Sequence, residues 1–288
     1  MKEKEDDWLY EIIATQSVLH IDLKEIWRYR DLLVLFVRRD IVATYKQTIL
    51  GPLWFLIQPL FTSIIFTLVF NNIASISTGT VPPFLFNLAG ITLWNFFKDC
   101  LTESSNTFTT NATLFSKVYF PRVIVPLSQS ISGLVKLGIQ FFIFIVFYLY
   151  FVIKGAILRP DELLWTAPIL VVIIAVLGLG SGMFISSLTT KYRDFKILIG
   201  FAVSLFMYVS AVMYPLAEVK TSETLSTYSW VVEYNPIAIL IENFRFITLG
   251  EGLFSWSMLG YCTLFSSVIF VVGLIMFNKT GRSFIDTV

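Results

Sequence analysis

Residues 165–189 read WTAPILVVIIAVLGLGSGMFISSLT, a run of 25 residues that contains no Asp, Glu, Lys or Arg. A helix that crosses the hydrocarbon core of a bilayer needs about 20 predominantly apolar residues, so this run is long enough to span a membrane. Its second half carries Gly178, Gly180 and Gly182, which form a small-residue face that permits the close approach of another helix. The run therefore predicts a transmembrane helix.

Five more apolar runs lie on either side of this one. Together they predict an all-α integral membrane protein with six transmembrane helices per protomer, at residues 53–72, 83–101, 124–152, 165–189, 196–214 and 255–277. We divide the chain into residues 1–50, a cytoplasmic N-terminus with an amphipathic interface helix, and residues 51–288, the six-helix transmembrane domain.

The composition of the whole chain agrees with a membrane protein and excludes several other classes. Hydrophobic residues make up 56% of the chain, charged residues 14%, and the mean hydropathy is +0.76, whereas a soluble domain carries about 25% charged residues. The net charge of +1 gives no basic surface for nucleic acid. Cys100 and Cys262 lie far apart in or beside apolar runs and are expected to be buried thiols. With His20 as the single histidine, we expect no histidine metal site and no cofactor in this chain.

The distribution of Lys and Arg predicts the orientation, because positive residues near span ends are retained on the cytoplasmic side. With the N-terminus inside, sixteen of the 21 basic residues lie inside and Lys136 lies within a span. The four on the outside are Lys154, Arg159, Lys220 and Arg245. We therefore expect both termini in the cytoplasm.

Residues 19–47 mix apolar side chains such as Trp27 and Phe36 with basic residues, among them Arg28, Arg30, Arg38, Arg39 and Lys46. This composition is typical of a helix that lies in the cytoplasmic interface, with its apolar face in lipid and its basic face toward anionic headgroups. Two interpretations stay open: a simple anchor, or a collar that contacts a cytoplasmic partner or guides an anionic lipid-linked substrate.

Three connections between the spans have distinctive compositions. Residues 102–122 and 189–195 are short, charged cytoplasmic connections, which suit rigid docking pegs for a partner, although a plain solvated turn is an alternative for the second. Residues 215–254, on the outer side, are too apolar for a solvated loop, yet each apolar piece is shorter than about 14 residues. They predict short re-entrant or interfacial helices between spans five and six.

The third span carries a polar face. Gln129, Ser132, Gly133, Lys136 and Gln140 share one side of a helix. A lysine at the centre of a bilayer costs about 2.5 to 3.5 kcal/mol on insertion scales, so it faces a partner, a cavity or the cytoplasmic end. Asp99 or Glu103 is a candidate partner. Either a structural ion pair or attraction of a substrate phosphate explains Lys136.

Aromatic residues make up 16% of the chain, and some cluster near the outer ends of the spans. Phe66 and Phe70 in the first span, with Tyr208 and Tyr214 in the fifth, are candidates for a pore lining on which sugar rings slide. The alternative for each residue is a lipid-facing aromatic belt or ordinary core packing.

The sequence lacks the features of a self-powered transporter or an enzyme. No phosphate-binding loop of the form Gly-x-x-x-x-Gly-Lys-Ser/Thr occurs, so we expect this chain not to hydrolyse ATP. No span carries the several acidic residues that ion-coupled carriers place near the midplane, and one histidine does not supply a clustered acid–base site for a transferase. The chain is expected to be a transport subunit and not an enzyme.

Six short motifs, taken together, identify a family resemblance over nearly the whole chain from about residue 30. They are Gly51-Pro52-Leu53-Trp54, Gln58-Pro59-Leu60, Phe115-Ser116-Lys117-Val118-Tyr119-Phe120-Pro121-Arg122, Lys191-Tyr192-Arg193-Asp194-Phe195, Met213-Tyr214-Pro215, and Tyr234-Asn235-Pro236 with Arg245. In this order they resemble the permease subunit of type-2 ABC exporters. The subfamily they resemble exports polysaccharides: O-antigen, capsule and teichoic acid.

The resemblance implies a homodimer with a channel at its interface, two cytoplasmic ATP-binding subunits and a bacterial inner-membrane location. It implies a substrate glycan linked to undecaprenyl diphosphate, with ATP and Mg bound by the partner subunits. It makes Trp54, Phe66, Phe70, Tyr208 and Tyr214 channel candidates, to which we add Lys136. ATPase docking is assigned to Lys117, Arg122, Lys191, Tyr192, Arg193 and Asp194, and we assign attraction of the lipid diphosphate at the cytoplasmic rim to Arg38, Arg39 and Lys46.

Three other functions stay open at the level of sequence. A drug or lipid exporter of the same fold is favoured by a narrow, aliphatic channel. An ion-coupled secondary transporter predicts function without an ATPase. A membrane-embedded glycosyl- or acyltransferase needs a catalytic cluster.

Overall fold

The computed structural model describes residues 23–46, 48–192, 194–221 and 229–284, and every regular element within them is helical. The α-helices are α1 (Leu23–Arg28), α2 (Arg30–Tyr45), α3 (Trp54–Phe66), α4 (Pro83–Ser105), α5 (Thr107–Thr110), α6 (Ala112–Phe115), α7 (Ile124–Ile153), α8 (Ala167–Lys191), α9 (Phe195–Val209), α10 (Leu216–Thr221), α11 (Ser229–Glu233), α12 (Pro236–Leu249) and α13 (Trp256–Phe284). Short 3-10 turns precede α3 and α8, and a π-helical segment, Thr67–Ile73, follows α3.

Four helical segments of the described chain are long and apolar enough to cross a membrane. They are Gly51–Ile73, Ile124–Ile153, Glu162–Lys191 and Trp256–Arg282, and they cover the predicted first, third, fourth and sixth spans. The predicted second span is α4, which is 23 residues long and carries Lys98, Asp99 and Glu103 near its C-terminal end. The predicted fifth span is α9, an apolar helix of 15 residues.

Helix α4 forms the centre of the molecule. It packs against α3, α7, α8 and α12, and 16 of its 23 residues are buried. Because other helices surround it, its polar side chains meet protein groups where a lipid-facing helix would meet hydrocarbon. Asn87, which is fully buried, donates to Thr67 Oγ1 at 3.1 Å and to Asn71 Oδ1 at 2.9 Å, and so ties α4 to the π-helical segment after α3.

The three glycines of α8 bring helices together on two sides, which corrects the expectation of a single small-residue face. A Cβ on Gly178 or Gly182 would collide with Cys100, Ser104 and the backbone of Leu101 on α4. A Cβ on Gly180 would lie 2.5 Å from the Cα of Phe270 on α13. The alternate spacing therefore places α8 in backbone contact with α4 on one side and with α13 on the other.

Helix α9 ends at Val209, five residues before the predicted end of the fifth span. The chain then turns through Ala211, a residue with a positive φ of 50°. Three short helices follow, α10, α11 and α12, as the composition of residues 215–254 predicts. Thirteen of the 14 residues of α12 are buried, so this helix belongs to the core of the protein.

Helix α2 lies against α7 at the end of the molecule that also holds the connection between α4 and α7. A cluster of aromatic rings, Phe36, Phe108, Phe115, Phe120 and Phe277, joins this helix to that connection and to the C-terminal part of α13. On the outside, Trp27 of α1 and Val34 and Leu35 of α2 are exposed, close in sequence to Arg38. Apolar side chains therefore lie on both the packed and the exposed side of α2, so the amphipathic character of the interface helix stays a prediction, and residues 19–22 lie outside the described chain.

Candidate functional site

Side chains from outside the helix cap the end of α9. The last carbonyls of a helix have no partner within the helix, and an unpaired buried carbonyl is destabilising. The amide of Asn235 donates to Val209 O at 3.2 Å and to Ser210 Oγ at 3.1 Å. The hydroxyl of Tyr214 folds back and donates to Tyr208 O at 2.6 Å. We call these contacts, together with those of Arg245 below, the α9 cap.

Arg245, on α12, is the largest fully buried side chain of the described chain. Its guanidinium donates to Ala211 O at 2.8 Å and to Val212 O at 2.5 Å, and it lies 3.6 Å from the ring centre of Phe86. A planar guanidinium bonds adjacent acceptors through its fork while stacking on an aromatic face. Gly90 makes this fit possible, because a Cβ there would lie 2.5 Å from Arg245 Nη2 and 2.6 Å from Val212 O.

Glu242 completes the α9 cap from the same helix. Its Oε2 lies 3.5 Å from Arg245 Nη1, and its carboxylate accepts a hydrogen bond from the backbone of Leu216, the first residue of α10. Helix ends carry partial charges, positive at the N-terminus and negative at the C-terminus. The positive side chain therefore meets the carbonyls that follow α9, and the negative side chain meets the N-terminus of α10.

The sequence indicated only part of this arrangement. Arg245 and Asn235 appear in the family motifs, but the sequence assigned them no contact, and it did not single out Glu242 or Gly90. The available signal was three polar residues, Glu242, Asn243 and Arg245, within the otherwise apolar residues 236–249. Charged residues in such a stretch indicate buried partners.

The structure divides the predicted channel residues into two groups. Phe66 and Phe70 pack edge to face at 5.7 Å beside the core, and Trp54, at the start of α3, is 50% exposed. Tyr208 and Tyr214 meet at the α9 cap, where the Tyr208 ring is 52% exposed and the Tyr214 hydroxyl is already bonded. Helices α3 and α9 both pack on α4, and no contact described within this chain brings the two groups together.

Both helices present a continuous apolar face outside the protomer. On α3 and the π-helical segment after it this face contains Phe61, Ile64, Ile65 and Leu68, and on α9 it contains Ile197, Leu198, Phe201 and Leu205, all at least 44% exposed. Of the 15 residues of α9, only Ile199 is buried. In a membrane such faces are covered by lipid or by another helix.

Lys136 pairs with Asp99, one of its two predicted partners. Their charged atoms lie 3.7 Å apart, and the ammonium lies 5.7 Å from the ring centre of Phe55 at the start of α3. The two side chains stay 19% and 32% exposed. Because charged groups at membrane depth avoid hydrocarbon, this exposed part favours a position against water or another subunit over lipid.

The two predicted docking connections, residues 102–122 and 189–195, are joined by a hydrogen bond in the structure. Thr189 Oγ1, near the end of α8, donates to Ser105 O, the last residue of α4, at 3.1 Å. Lys117 is exposed in the first connection beside Tyr119, which is 78% exposed. In the second, Tyr192 is 50% exposed and Lys191 Nζ lies 5.3 Å from its ring centre.

The remaining docking residues differ in exposure. Asp194 is exposed immediately before α9, whereas Arg193 lies outside the described residues. Arg122 is half-buried between the ring of Phe115, at 5.8 Å, and the backbone of Gly281 on α13. Burial lowers the pKa of Arg122, and its packing fixes the first connection against the last helix.

The three predicted basic residues of the cytoplasmic rim lie on or just after α2. Arg38 and Lys46 are exposed. Arg39 is held by Asp40, whose Oδ1 accepts a hydrogen bond from Arg39 Nε at 2.9 Å, and by the ring of Phe36 at 4.6 Å. The rim therefore offers three exposed cations, of which Arg39 is engaged by Asp40 and Phe36.

Comparison with known proteins gives matches that cover most of the chain. The sequence profile described as "ABC-2 type transporter" matches residues 31–249. Two proteins of Klebsiella pneumoniae, each named O-antigen export system permease protein RfbA, are 25% identical to this chain, over 89% of it and 94% of their own length. A protein of the same name from Myxococcus xanthus is 22% identical over 78% of this chain and 83% of its own length.

Proposed function

The chain belongs to the ABC-2 type transporter family, and from that premise we propose that it is the permease subunit of an exporter of undecaprenyl-diphosphate-linked polysaccharide. The observation that carries this proposal is the match, over nearly their full length, to relatives named O-antigen export system permease. The polysaccharide is an O-antigen, a capsule or a teichoic acid. The chain resides in the bacterial inner membrane with six spans and both termini in the cytoplasm.

Two copies of the chain form the translocation path. The apolar faces of α3 and α9 meet their counterparts in the second copy, and Trp54, Phe66, Phe70, Tyr208 and Tyr214 line the channel between them. Flat rings suit a sliding glycan, because each ring offers a broad contact surface of modest strength. The short helices α10 to α12 lie at the exit and re-enter the membrane from outside.

ATP hydrolysis takes place on two separate cytoplasmic subunits, which also bind Mg, and this chain contributes no cofactor site. Lys117, Arg122, Lys191, Tyr192, Arg193 and Asp194 belong to the two connections on which those subunits dock. The bond between Thr189 and Ser105 supports this role, because it lets a push on either connection reach α4 and α8 together. Closure of the ATP-binding subunits then moves packed groups of helices and opens the dimer interface.

The proposed function is tested by deleting the gene of this chain in its own bacterium and restoring it on a plasmid with the ATP-binding subunit encoded beside it. We expect the two proteins to co-purify and hydrolyse ATP. We expect the deletion to abolish the surface glycan and to accumulate lipid-linked glycan inside the cell.

Other outcomes would point to other functions. A stable complex with normal surface glycan in the deletion strain would favour the drug or lipid exporter. Transport without any associated ATPase would favour the ion-coupled carrier.

The cytoplasmic rim gives a prediction about substrate capture. Replacing Arg38, Arg39 and Lys46 together by Gln is expected to weaken binding of the lipid diphosphate, because each basic residue near an anionic surface contributes about 1 kcal/mol. Three such residues correspond to an affinity loss on the order of a hundredfold. The measurement is export in cells and the stimulation of ATPase activity by lipid-linked glycan.

The matched control replaces two exposed basic residues of the outer connection, Lys154 and Arg159, by Gln. It is expected to leave both activities near the wild-type level. Unchanged export in the triple variant would show that these three cations do not attract the substrate.

Lys136 gives a second prediction, which separates its two proposed roles. The double variant Lys136→Met with Asp99→Asn removes both charges, so no charge is left without its partner. If the ammonium also attracts the substrate phosphates, export falls about tenfold, since a contact with a charged group is worth about 1.5 kcal/mol or more. We expect this fall, with assembly and basal ATPase activity retained. Export at the wild-type rate would mean that Lys136 serves only as the partner of Asp99.

A further inference from the structure

The outer end of α9 is held in a different way from the rest of the helix. At this end Asn235 and Arg245 bond the carbonyls of Val209, Ala211 and Val212. One turn earlier, Phe206 packs against Trp94 and Phe97 of α4, with ring centres 6.0 and 6.2 Å apart. Polar bonds in a buried setting are costly to break, because the groups that they release find no water.

Among the described residues, the cytoplasmic half of α9 is held within the protomer only by apolar contacts, chiefly those of Ile199, the one buried residue of the helix. Ile197 is 79% exposed, Leu198 56% and Phe201 63%, and the helix begins directly after the predicted docking connection at Asp194. Apolar contacts of this kind carry no directional bonds, so they re-form in a new position at low cost.

A groove that is open to the surface lies beside α9 on the side of its neighbours. It has a volume of about 310 Å³ and is lined by residues of α4, α8, α9, α13 and the α11–α12 region, among them Leu177, Phe206, Val209 and Phe265. Helix α9 is therefore not packed tightly against α8 and α13 at this level. The space allows the helix to tilt without forcing its neighbours apart.

We propose that Asn235 and Arg245 are positioning residues for transport, which hold the outer end of α9 on α12 while the helix pivots about Val209. The cytoplasmic end then moves with the connection at residues 191–195, and the fixed end keeps Tyr208 and Tyr214 at the exit. This inference rests on the proposed function, since it takes α9 as a channel helix and that connection as a docking element. Hinges of this kind are a few residues at element ends that absorb the change in backbone angles.

The pivot is tested by cross-linking the outer end of α9 to the N-terminal end of α12. Ser210 Oγ and Asn235 Nδ2 lie 3.1 Å apart, so Ser210→Cys with Asn235→Cys places two thiols on side chains that are in contact in the wild type. Cys100 and Cys262 are first replaced by Ala, because Cys262 Sγ lies 3.6 Å from Pro236 O beside the introduced pair. The variant is purified with its ATP-binding subunit and oxidised with copper phenanthroline without nucleotide, with ATP, and with ATP and vanadate.

The expected result is the same cross-linking yield in all three nucleotide states, with ATPase activity retained after oxidation. In cells, export by the oxidised form is expected to match or exceed export by the reduced form, because the disulfide replaces the hold that the amide of Asn235 gives. Comparing the two forms of one variant separates this effect from that of the two substitutions. Each single cysteine variant controls for non-specific oxidation.

Three results would overturn the pivot: a yield that falls in the vanadate-trapped state, export that stops on oxidation and returns on reduction, or no cross-link in any state. The yield measurement needs no substrate, so it decides the question even where the substitutions lower export. Failure of the proposed function is distinguishable, because it shows itself in the wild type as a missing ATP-binding partner or an unaffected surface glycan.

Discussion

The variant Arg245→Met is expected to lose most of its folded protein. The substitution leaves the carbonyls of Ala211 and Val212 without donors and leaves Glu242 as a buried charge without its counterion. Removing one partner of a buried ion pair costs about 3 to 5 kcal/mol, a large share of the 5 to 15 kcal/mol by which proteins are typically stable. The measurements are the amount of protein in the membrane and the thermal unfolding of the purified complex.

Companion variants identify the cause of this loss. Arg245→Lys keeps the positive charge but loses the planar guanidinium, with its paired donors and its stacking on Phe86. The stability of this variant is therefore expected to lie between that of Arg245→Met and that of the wild type. The pair Arg245→Met with Glu242→Gln is expected to lose less than the sum of the two single losses, because the second change removes the unpaired charge.

The control is Arg30→Met, at an exposed ion pair whose charged atoms lie 3.8 Å apart. Such surface pairs contribute less than about 1 kcal/mol, so this variant is expected to unfold near the wild-type temperature. Wild-type unfolding of Arg245→Met would show that the α9 cap does not stabilise the protein.

The variant Gly180→Leu is expected to have the next largest effect, because it separates α8 from α13. Even the Cβ of Ala at this position would lie 2.5 Å from Phe270 Cα and 2.7 Å from Phe270 N, both of them backbone atoms that no side-chain rotation removes. Overpacking typically costs about 1 to 3 kcal/mol and occasionally more, and a contact with backbone belongs at the upper end. The folding equilibrium constant is therefore expected to fall about tenfold or more, which the thermal unfolding of the purified complex measures.

Gly260 on α13 provides the matched control, since an added Cβ meets nothing within 4 Å there. Gly260→Ala is expected to raise stability slightly, because Ala favours a helix by about 1 kcal/mol over Gly. Gly180→Ala is expected to lower it. If the two alanine variants changed stability in the same direction, close packing at Gly180 would not be the reason for the glycine.

Some of the candidate site followed from the sequence because the physical constraint there is local. A lysine inside an apolar run needs a partner, and Asp99, predicted as one of two candidates for Lys136, is the partner found. Each apolar piece within residues 215–254 was too short for another span, and the described part of this connection contains the short helices α10, α11 and α12. Residues 102–122 were expected to be rigid, and they contain two short helices fastened by buried rings.

Other features depend on which segments meet, and no local pattern contains that information. The fifth helix stops at Val209 although the apolar run continues to Tyr214, because Asn235, just before α12, and Arg245, within it, supply donors to carbonyls at and after the helix end. The glycines of α8 face two neighbours because α4 and α13 pack on opposite sides of it. Gly90 has no distinctive setting in the sequence, and its role is visible only beside the guanidinium that it admits.

The sequence by itself determined that the chain is a helical membrane protein, where its apolar helices lie, and which family motifs it carries. These properties follow from short stretches, because the length and polarity of a segment alone decide whether it enters a bilayer. Only the tertiary structure decided where α9 ends, which side chains cap it, and which helices the glycines join. Those outcomes depend on buried polar groups and backbone surfaces finding partners far away in the chain, and such pairing exists only once the helices have packed.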